Sequence, residues 1–520
     1  MTWSPIVWSD ASATSSTTTP AWTTLLDRAR DLGASGAKTA DVLFQLRDDR
    51  SPGALIRWCK RTHLAITWVR GNSAGMVSGS AEALGRALGV SIDNYELAGF
   101  GRFYAAHARP LVPPSLRGEV QAFGRISSLG QVHPEVPVTV PIVGLGPGGF
   151  IDAYDARPLW ARNDFGQGET IVFFEVDGYS PSDLATYAAH FGLPPFADPL
   201  PHIGALDLKP EGESTMDLEA AHAIAPGARL VYVNLNAFSG GSSSPTSQFA
   251  QAFATVAKRY PAAIWSISLG QCETLFSPTD LNVVNGVVDH AERAGTSVFV
   301  ASGDSGGLEC LGASEVDPSV SPAGISFPGD LPNVTSVGGT TLDVTTGGDY
   351  AGETTWTEPL LSQGSTGGQS SVFRQPRWQR APGVISSYSS GALCGAPGGS
   401  YCREAPDVAA DANPITGAAV RFMGRWLTQG GTSLASPEWA AFTALADNYL
   451  TSLGDKRLGF ANPLLYRLAA GSPPYPPFHE VTLGANDLYP ATSGYNMVTG
   501  LGSPDVWNLV RDLADLVGRS

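Results

Sequence analysis

Ser433 has the setting that most clearly suggests nucleophilic chemistry. It lies in the run GGTSLASP (430–437), directly before the apolar stretch EWAAFTALADNYL, which predicts a helix. A serine at a helix N-terminus lies beside free backbone N–H groups that stabilise negative charge, and the glycines let a substrate backbone come close. The same pattern is equally typical of an ordinary cap after a glycine turn, so both interpretations stay open for this run alone.

A serine nucleophile needs a base, and two carboxylates offer one. Glu213 and Asp217 are four residues apart in GESTMDLEAAHAIAPG, where Pro226 and Gly227 end a predicted helix, so both project from one face. Two neighbouring carboxylates share a proton, which raises one pKa and supplies a base and an acid in one pair. None of the eight histidines has a comparable setting. The alternative is that acidic residues favour first helical turns for electrostatic reasons alone.

Asp304 is a third candidate, in the glycine-flanked turn SGDSG (302–306) that follows the strand-like run VFVA. An aspartate in a glycine-flanked turn at the carboxyl end of a strand is well placed for a site. The alternative interpretation is an ordinary Asx turn.

The elements that must position these residues alternate strand-like and helical patterns. Apolar, β-branched runs occur at ETIVFFEVDGY (169–179), ARLVYVNLN (228–236), AIWSISLG (263–270) and TSVFVASGDSG (296–306). Nearly continuous apolar strands separated by helices are typical of a parallel sheet covered on both faces. We therefore predict a doubly wound α/β domain with its site at the carboxyl ends of the strands.

The chain divides into four segments. Residues 1–19 are rich in Ser and Thr, which predicts a disordered leader. A small α+β domain is predicted over residues 20–125. Residues 126–149 are rich in Pro and Gly, which predicts a linker, and residues 150–520 form the body. Within the front domain, TTLLDRARDLG and SAEALGRALG predict helices, and HLAITWV and YELAGFGRFYAA predict strands.

Charge is distributed unevenly over these segments. Residues 20–125 carry 14 Lys and Arg against nine Asp and Glu, whereas residues 126–520 carry 18 against 38, so the net charges are +5 and −20. The overall charge of −16 argues against a nucleic-acid partner, and no apolar run is long enough to span a membrane. A basic front segment on an acidic body predicts an electrostatic lid that acid would release.

Five cysteines bear on the compartment. Cys394 and Cys402 enclose a Gly/Pro-rich loop, and Cys272 and Cys310 each follow an apolar strand, so pairing within each couple is easy, although four cysteines allow three connectivities. We expect these two pairs, with Cys59 free. Disulfides indicate an oxidising compartment, and we expect an extracellular or acidic one, yet the N-terminus shows no secretory signal peptide.

Taken together, the motifs resemble the sedolisins, or serine-carboxyl peptidases. AHAIAPGA follows the Glu213/Asp217 helix, and SISLG, ASGDSG and GGTSLASP follow in that order. The resemblance implies a subtilisin-like fold behind an inhibitory prodomain, with a processing site in the linker and a monomeric, acid-active endopeptidase or tripeptidyl peptidase as product. It implies that Ser433 is the nucleophile, Glu213 its base, Asp217 the carboxylate that orients the base, and Asp304 the oxyanion-hole acid.

The resemblance also implies that Ser268, Leu269 and Gly270 bind the backbone of a peptide substrate by strand addition. Two alternatives remain at this stage: a subtilisin-type hydrolase with a histidine base, and an inactive fold that only binds peptides. No histidine is followed by Gly-Thr, which argues against the first, and the intact set of four catalytic candidates argues against the second.

Calcium is the one cofactor that the resemblance implies, with no organic cofactor. The places of its ligands hold Glu480, Val481, Thr492, Gly494 and Asn496. Asn at the last place, where relatives carry Asp, removes a formal charge, and calcium affinity follows the charge of the ligands.

Overall fold

The structure is a computed structural model that describes residues 26–48, 50–68, 72–97, 101–129, 133–134, 139–140, 144–238, 244–316, 320–358 and 363–517. The predicted leader, residues 1–19, lies outside the described residues.

Strands and helices alternate through the body and are mixed in the front domain. The strands are β1 Arg30–Ala34, β2 Ala40–Leu46, β3 Ala65–Trp68, β4 Ala74–Gly79, β5 Ile92–Leu97, β6 Gly101–Ala106, β7 Val120–Phe123, β8 His133–Pro134, β9 Thr139–Val140, β10 Thr170–Glu175, β11 His202–Ile203, β12 Arg229–Asn234, β13 Ile264–Ile267, β14 Leu269–Cys272, β15 Ser297–Ala301, β16 Ser326–Phe327, β17 Thr335–Val344, β18 Tyr350–Thr355, β19 Thr357–Glu358, β20 Gln363–Gly364, β21 Gly368–Arg374, β22 Cys402–Ala405, β23 Val408–Asp411, β24 Ala418–Phe422, β25 Arg425–Gln429, β26 Phe478–His479 and β27 Ser503–Pro504. The helices are α1 Gly53–Thr62, α2 Ala81–Leu88, α3 Pro147–Ala153, α4 Arg157–Trp160, α5 Pro181–Phe191, α6 Glu213–Ile224, α7 Pro245–Arg259, α8 Pro278–Arg293, α9 Leu311–Val316, α10 Thr432–Ser452, α11 Asn462–Ala470 and α12 Val506–Val517.

An eight-stranded sheet organises the body. Its order is β11-β12-β10-β13-β15-β17-β18, with β23 also paired to β17. All pairs are parallel except β17 with β18. The four apolar runs in the sequence form β10, β12, β13 and β15, which confirms the predicted doubly wound α/β fold.

Helices cover both faces of this sheet. Helices α6 and α10 pack against each other and share one apolar core with residues such as Phe173, Leu218 and Trp439. Helices α7 and α8 cover the other face, where Phe253 and Trp265 lie in the second core. Because α6 and α10 are buried along nearly their whole length, their N-terminal residues are held firmly at the carboxyl edge of the sheet.

The front domain has its own apolar core between helices and two antiparallel sheets. The sheets have the orders β1-β5-β6 and β3-β4-β2-β7, and the core contains Phe44, Leu84 and Phe123. The helix predicted over TTLLDRARDLG is wrong in its second half, because Arg30–Ala34 is a strand paired with β5. Pairing with a distant strand overrides the local helical propensity.

The front domain packs on helices α7 and α8 of the body. Leu43 and Met76 belong to the apolar core formed by these helices, and Gln251 donates a hydrogen bond to Met76 Sδ at 3.3 Å. Polar contacts border this patch: the Arg125 N–H donates to Asp280 at 3.1 Å, and the Arg109 guanidinium donates to Thr279 at 2.9 Å.

The predicted cysteine pairing is confirmed. Cys272 is bonded to Cys310 and Cys394 to Cys402, while Cys59 is free and buried in the front domain. Among the residues that the structure describes, no helix is both long and apolar enough to cross a bilayer.

Candidate active site

Ser433 lies in the first turn of α10, after a glycine turn that leaves β25. Gly431 has φ +114°, and a Cβ there would lie 2.7 Å from Asp304 Oδ2, so only glycine fits without strain. The Ser433 side chain lies beside Glu213 on α6, close enough to oppose the rise in the pKa of that carboxyl. The structure therefore brings the candidate nucleophile and the candidate base together across the contact between α6 and α10.

Glu213 and Asp217 form a buried carboxyl pair one helical turn apart. Burial raises the pKa of both groups well above the usual range, and for Glu213 the Asp217 charge raises it further. Ser268 Oγ donates to Asp217 Oδ2 at 2.7 Å and also lies 3.1 Å from the Ser433 carbonyl. The Ser268 hydroxyl is therefore a partner of the carboxyl pair, a contact that the sequence did not predict.

Asp304 follows β15 and faces the turn before Ser433. Its Oδ1 accepts hydrogen bonds from the Thr432 N–H at 2.7 Å and from Thr432 Oγ1 at 2.8 Å. Burial raises the pKa of Asp304 to about 6, against the opposing effect of these two donors. Its second oxygen can therefore carry a proton in acid, which makes the group a donor.

Two acids that the sequence analysis did not single out complete this cluster. Glu175, the last residue of β10, is hydrogen-bonded to Asp217, and burial followed by the charge of Asp217 raises its pKa well above the usual range. Asp177 accepts hydrogen bonds from the N–H groups of Glu211, Gly212 and Ser214 at 2.8–3.0 Å. Asp177 thus caps α6 from outside the helix, so the end of β10 sets where Glu213 lies.

The signal for these two acids was present in the sequence. FFEVDG ends a strand in which two carboxylates alternate with apolar residues, at the sheet edge where α/β proteins form their sites. Glu175 and Asp177 could have been selected on that basis.

Two short backbone pairings border the site. His133–Pro134 pairs antiparallel with Leu269–Gly270, and Thr139–Val140 pairs antiparallel with Thr428–Gln429, four to five residues before Ser433. The predicted linker therefore enters beside the predicted substrate strand and leaves beside the strand that leads to Ser433.

The five residues at the predicted calcium position come together, but their arrangement does not fit Ca²⁺. The Asn496 amide nitrogen donates to the carbonyls of Val481 and Thr492 at 3.4 and 3.2 Å. Calcium would need both carbonyl oxygens at about 2.3–2.6 Å, with the positive edge of this amide against it. Within the described part of the chain, no group of three His, Cys, Asp or Glu side chains could hold a metal ion. The calcium prediction stays a prediction, and these contacts do not support it.

Comparisons with known proteins agree with this geometry. A subtilase-family model matches residues 209–457. Kumamolisin from Bacillus sp. (strain MN-32) is 30% identical over 472 residues, 85% of this chain and 78% of the relative. Sedolisin from Pseudomonas sp. (strain 101) is 30% identical over 463 residues, 83% and 73% respectively. The chain belongs to the sedolisin family.

A solved structure supports this membership. Pseudomonas sedolisin, described as a serine-carboxyl proteinase in complex with pseudo-iodotyrostatin, matches with a TM-score of 0.58 and 27% identity, over 72% of this chain and 98% of that one. As a sedolisin-family protein, the chain is an acid-active serine-carboxyl peptidase with the subtilisin-like fold that the sequence predicted. The histidine-dependent alternative is not supported, because the ionisable group beside Ser433 is the Glu213 carboxyl.

Proposed function

We propose that this sedolisin-family peptidase is made as a self-processing zymogen in which Ser433 attacks the scissile carbonyl of the chain's own linker. Glu213 is the general base that takes the Ser433 proton and later delivers it to the leaving amine. The contact between Ser433 and Glu213 supports these roles. The products are a front fragment and an active body, released through an acyl-enzyme that water hydrolyses.

The buried carboxyl groups behind Glu213 set its basicity. Asp217 and Glu175 hold one proton between them. When Glu213 accepts the proton of Ser433, these two acids share the one negative charge that remains. Ser268 donates to Asp217 and so stabilises its ionised form. This chain of acids lets Glu213 change protonation state inside a dry core, where an isolated carboxylate would resist ionisation.

Asp304 supplies the hydrogen bond that stabilises the tetrahedral oxyanion. Thr432 holds one oxygen of Asp304 with two donors, and the second oxygen, on the side of Gly431, carries the proton. Because an oxyanion repels a carboxylate, catalysis needs the protonated form, which exists below a pH of about 6.

One observation carries the zymogen proposal: the linker pairs with a body strand on each side of the site. Residues 135–138 connect Pro134, which pairs with Leu269, to Thr139, which pairs with Gln429. Strand addition aligns a peptide backbone beside a nucleophile, and the pairings at 133–134 and 139–140 bring the linker to the site in this way. We therefore place the processing site between 134 and 139, and its cleavage is endoproteolytic, since more than 100 residues precede it.

The front domain, described over residues 26–129, acts as the intramolecular inhibitor in this proposal. It packs on α7 and α8 and directs the linker into the site. The two disulfides of the body support an oxidising compartment. Calcium has no part in the proposal.

The test is an acid shift of the purified full-length chain. Wild type held at pH 7 and moved to about pH 4 should yield a body whose new N-terminus, read by mass spectrometry, lies between residues 135 and 139. Ser433→Ala should stay uncut. Ser436→Ala is the matched control. The Ser436 hydroxyl lies 3.1 Å from Ser266 Oγ and has no role in the proposed reaction, so this variant should still be processed. Cleavage of Ser433→Ala at the wild-type rate, or only outside this window, would overturn the proposal.

A further inference from the structure

Asn496 is buried at the position where the family resemblance implies a calcium-binding aspartate. Its two amide hydrogens have two acceptors, the carbonyls of Val481 and Thr492, at 3.4 and 3.2 Å. Its oxygen accepts from the N–H groups of Val498 and Thr499, both at 3.0 Å, and from Thr499 Oγ1 at 3.2 Å. Every donor and acceptor of this side chain is therefore used.

The backbone determines which way the amide points. Val498 and Thr499 offer N–H donors, and Val481 and Thr492 offer carbonyl acceptors. Rotating the amide by 180° would set its N–H groups against two N–H donors and its oxygen against two carbonyl oxygens. The orientation follows from these four fixed backbone groups.

We propose that the Asn496 amide takes the place of a calcium ion, so that this peptidase holds its C-terminal loops together without a metal. An aspartate at 496 would place a carboxylate oxygen against the two carbonyls, and three negative oxygens need a cation between them. The amide presents two N–H donors there instead. Glu480, the only charged member of the set, is exposed and accepts a hydrogen bond from Ser493 at 2.8 Å.

The experiment measures thermal unfolding of the full-length chain in a Ser433→Ala background, which prevents self-digestion. Metal-free protein is melted at pH 6.5 with EGTA or with CaCl2 up to 10 mM, and binding is measured by calorimetry. The chain that retains Asn496 should have the same Tm in both conditions and should show no heat of calcium binding. Asn496→Asp should melt at a lower temperature in EGTA and recover by about 5 °C once Ca²⁺ reaches 100 times its Kd.

Asn282→Asp is the matched control. Its amide is exposed and donates to one carbonyl, that of Pro278, so the change adds the same charge and removes one such bond without creating a site between two carbonyls. Its Tm should not respond to calcium. Stoichiometric binding of Ca²⁺ by the unsubstituted chain with a rise in Tm would overturn the proposal. The proposal would also be overturned if the Asn496→Asp chain folds and its Tm does not change when calcium is added. If that variant does not fold, the titration of the unsubstituted chain still decides.

Discussion

In the proposed mechanism, Asp304 determines the pH range in which the site can stabilise an oxyanion. Its pKa, raised to about 6 by burial, keeps a proton available in weak acid and loses it toward neutrality. Hydrogen bonds from Thr432 oppose that shift, so the group remains an acid with a usable pKa. The peptidase is therefore expected to switch off near pH 6 through one residue.

Substitution of Asp304 should separate donation from ionisation. Asp304→Ala removes the donor and should lower kcat by about 10²–10³-fold. Asp304→Asn keeps an acceptor for Thr432 and a donor that does not ionise, so activity should persist above pH 6, where wild type declines. The measurement is kcat against pH from 3 to 7 on one peptide. An Ala variant with near-normal turnover would contradict the oxyanion role.

At this scale the sequence predicted the residues that lie in motifs and missed those that depend on packing. Ser433, Glu213, Asp217 and Asp304 meet because their motifs end at the same sheet edge. The Ser268 hydroxyl was expected to serve substrate binding, and the structure shows that it also contacts Asp217 and the Ser433 carbonyl. The order of strands decides such a contact, and local sequence does not contain that order.

The N-terminus of α8 is the element against which the front domain docks most closely. A Cβ on Gly124 would overlap Oδ1 of Asp280, a residue in the first turn of that helix. The backbone of the front domain can approach α8 only because this position is glycine.

Gly124→Ala should therefore weaken inhibition by the front domain. Overpacking of this kind costs about 1–3 kcal/mol, which corresponds to an inhibition constant about 5–150-fold higher. Gly118→Ala is the control, since nothing lies within 4 Å of the added Cβ. The measurement is inhibition of the processed body by the separately expressed segment 26–129. Equal inhibition by both variants would show that α8 is not the docking site.

The elements most accurately predicted were those with the strongest local pattern. Four apolar runs became four central strands, and SAEALGRALG became α2, which begins at the Ser80 cap and ends at Gly89. The strand Arg30–Ala34 was missed because it depends on pairing with β5, about 60 residues away. The pairing of β23 with β17 is equally non-local.

Across the whole molecule, buried carboxyl groups with raised pKa values predict a protein that is more stable in acid. Burial raises the pKa of Glu353 to about 7, of Asp411 to about 8 and of Asp447 to about 7. A group with a pKa raised by folding contributes stability below its unfolded pKa, near 4, and loses it as pH rises through the folded value. Stability should therefore fall between pH 4 and pH 8.

The expected change is a decrease in Tm of more than about 5 °C from pH 4 to pH 8, measured in the Ser433→Ala background. Glu353→Gln should reduce this slope, because Thr340 and Tyr154 then donate to an amide oxygen that never ionises. Asp343→Asn, on an exposed position of β17, should leave the slope unchanged. A Tm that rises toward pH 8 would contradict this account of the core.

Buried carboxyl groups at the interface predict that acid favours docking of the front domain, the opposite of the electrostatic lid expected from sequence. Two carboxylates lie where the front domain meets the body: Asp41, which faces Tyr104, Ser244 and Ser247, and Asp280, which faces Ser277, Arg125 and Arg109. Burial raises the pKa of Asp41 to about 6, and it raises that of Asp280 despite the nearby arginines. Groups that hold protons more tightly in the docked state favour docking as pH falls. The remaining contact, around Leu43 and Met76, is apolar and does not titrate.

We therefore expect acid to activate the zymogen through Asp304 and linker cleavage, with the front domain still bound immediately afterwards. Segment 26–129 should bind processed body, by calorimetry, as tightly at pH 5 as at pH 7, or more tightly, because Asp41 takes up its proton near pH 6 only where it is buried. Raising the salt concentration from 0.05 to 0.5 M should change the inhibition constant by less than about threefold, since apolar contact is not screened. An affinity that falls tenfold between pH 7 and pH 5 and weakens with salt would restore the electrostatic lid. It would also mean that the long-range attraction between the +5 segment and the −20 body outweighs the buried carboxylates at their interface.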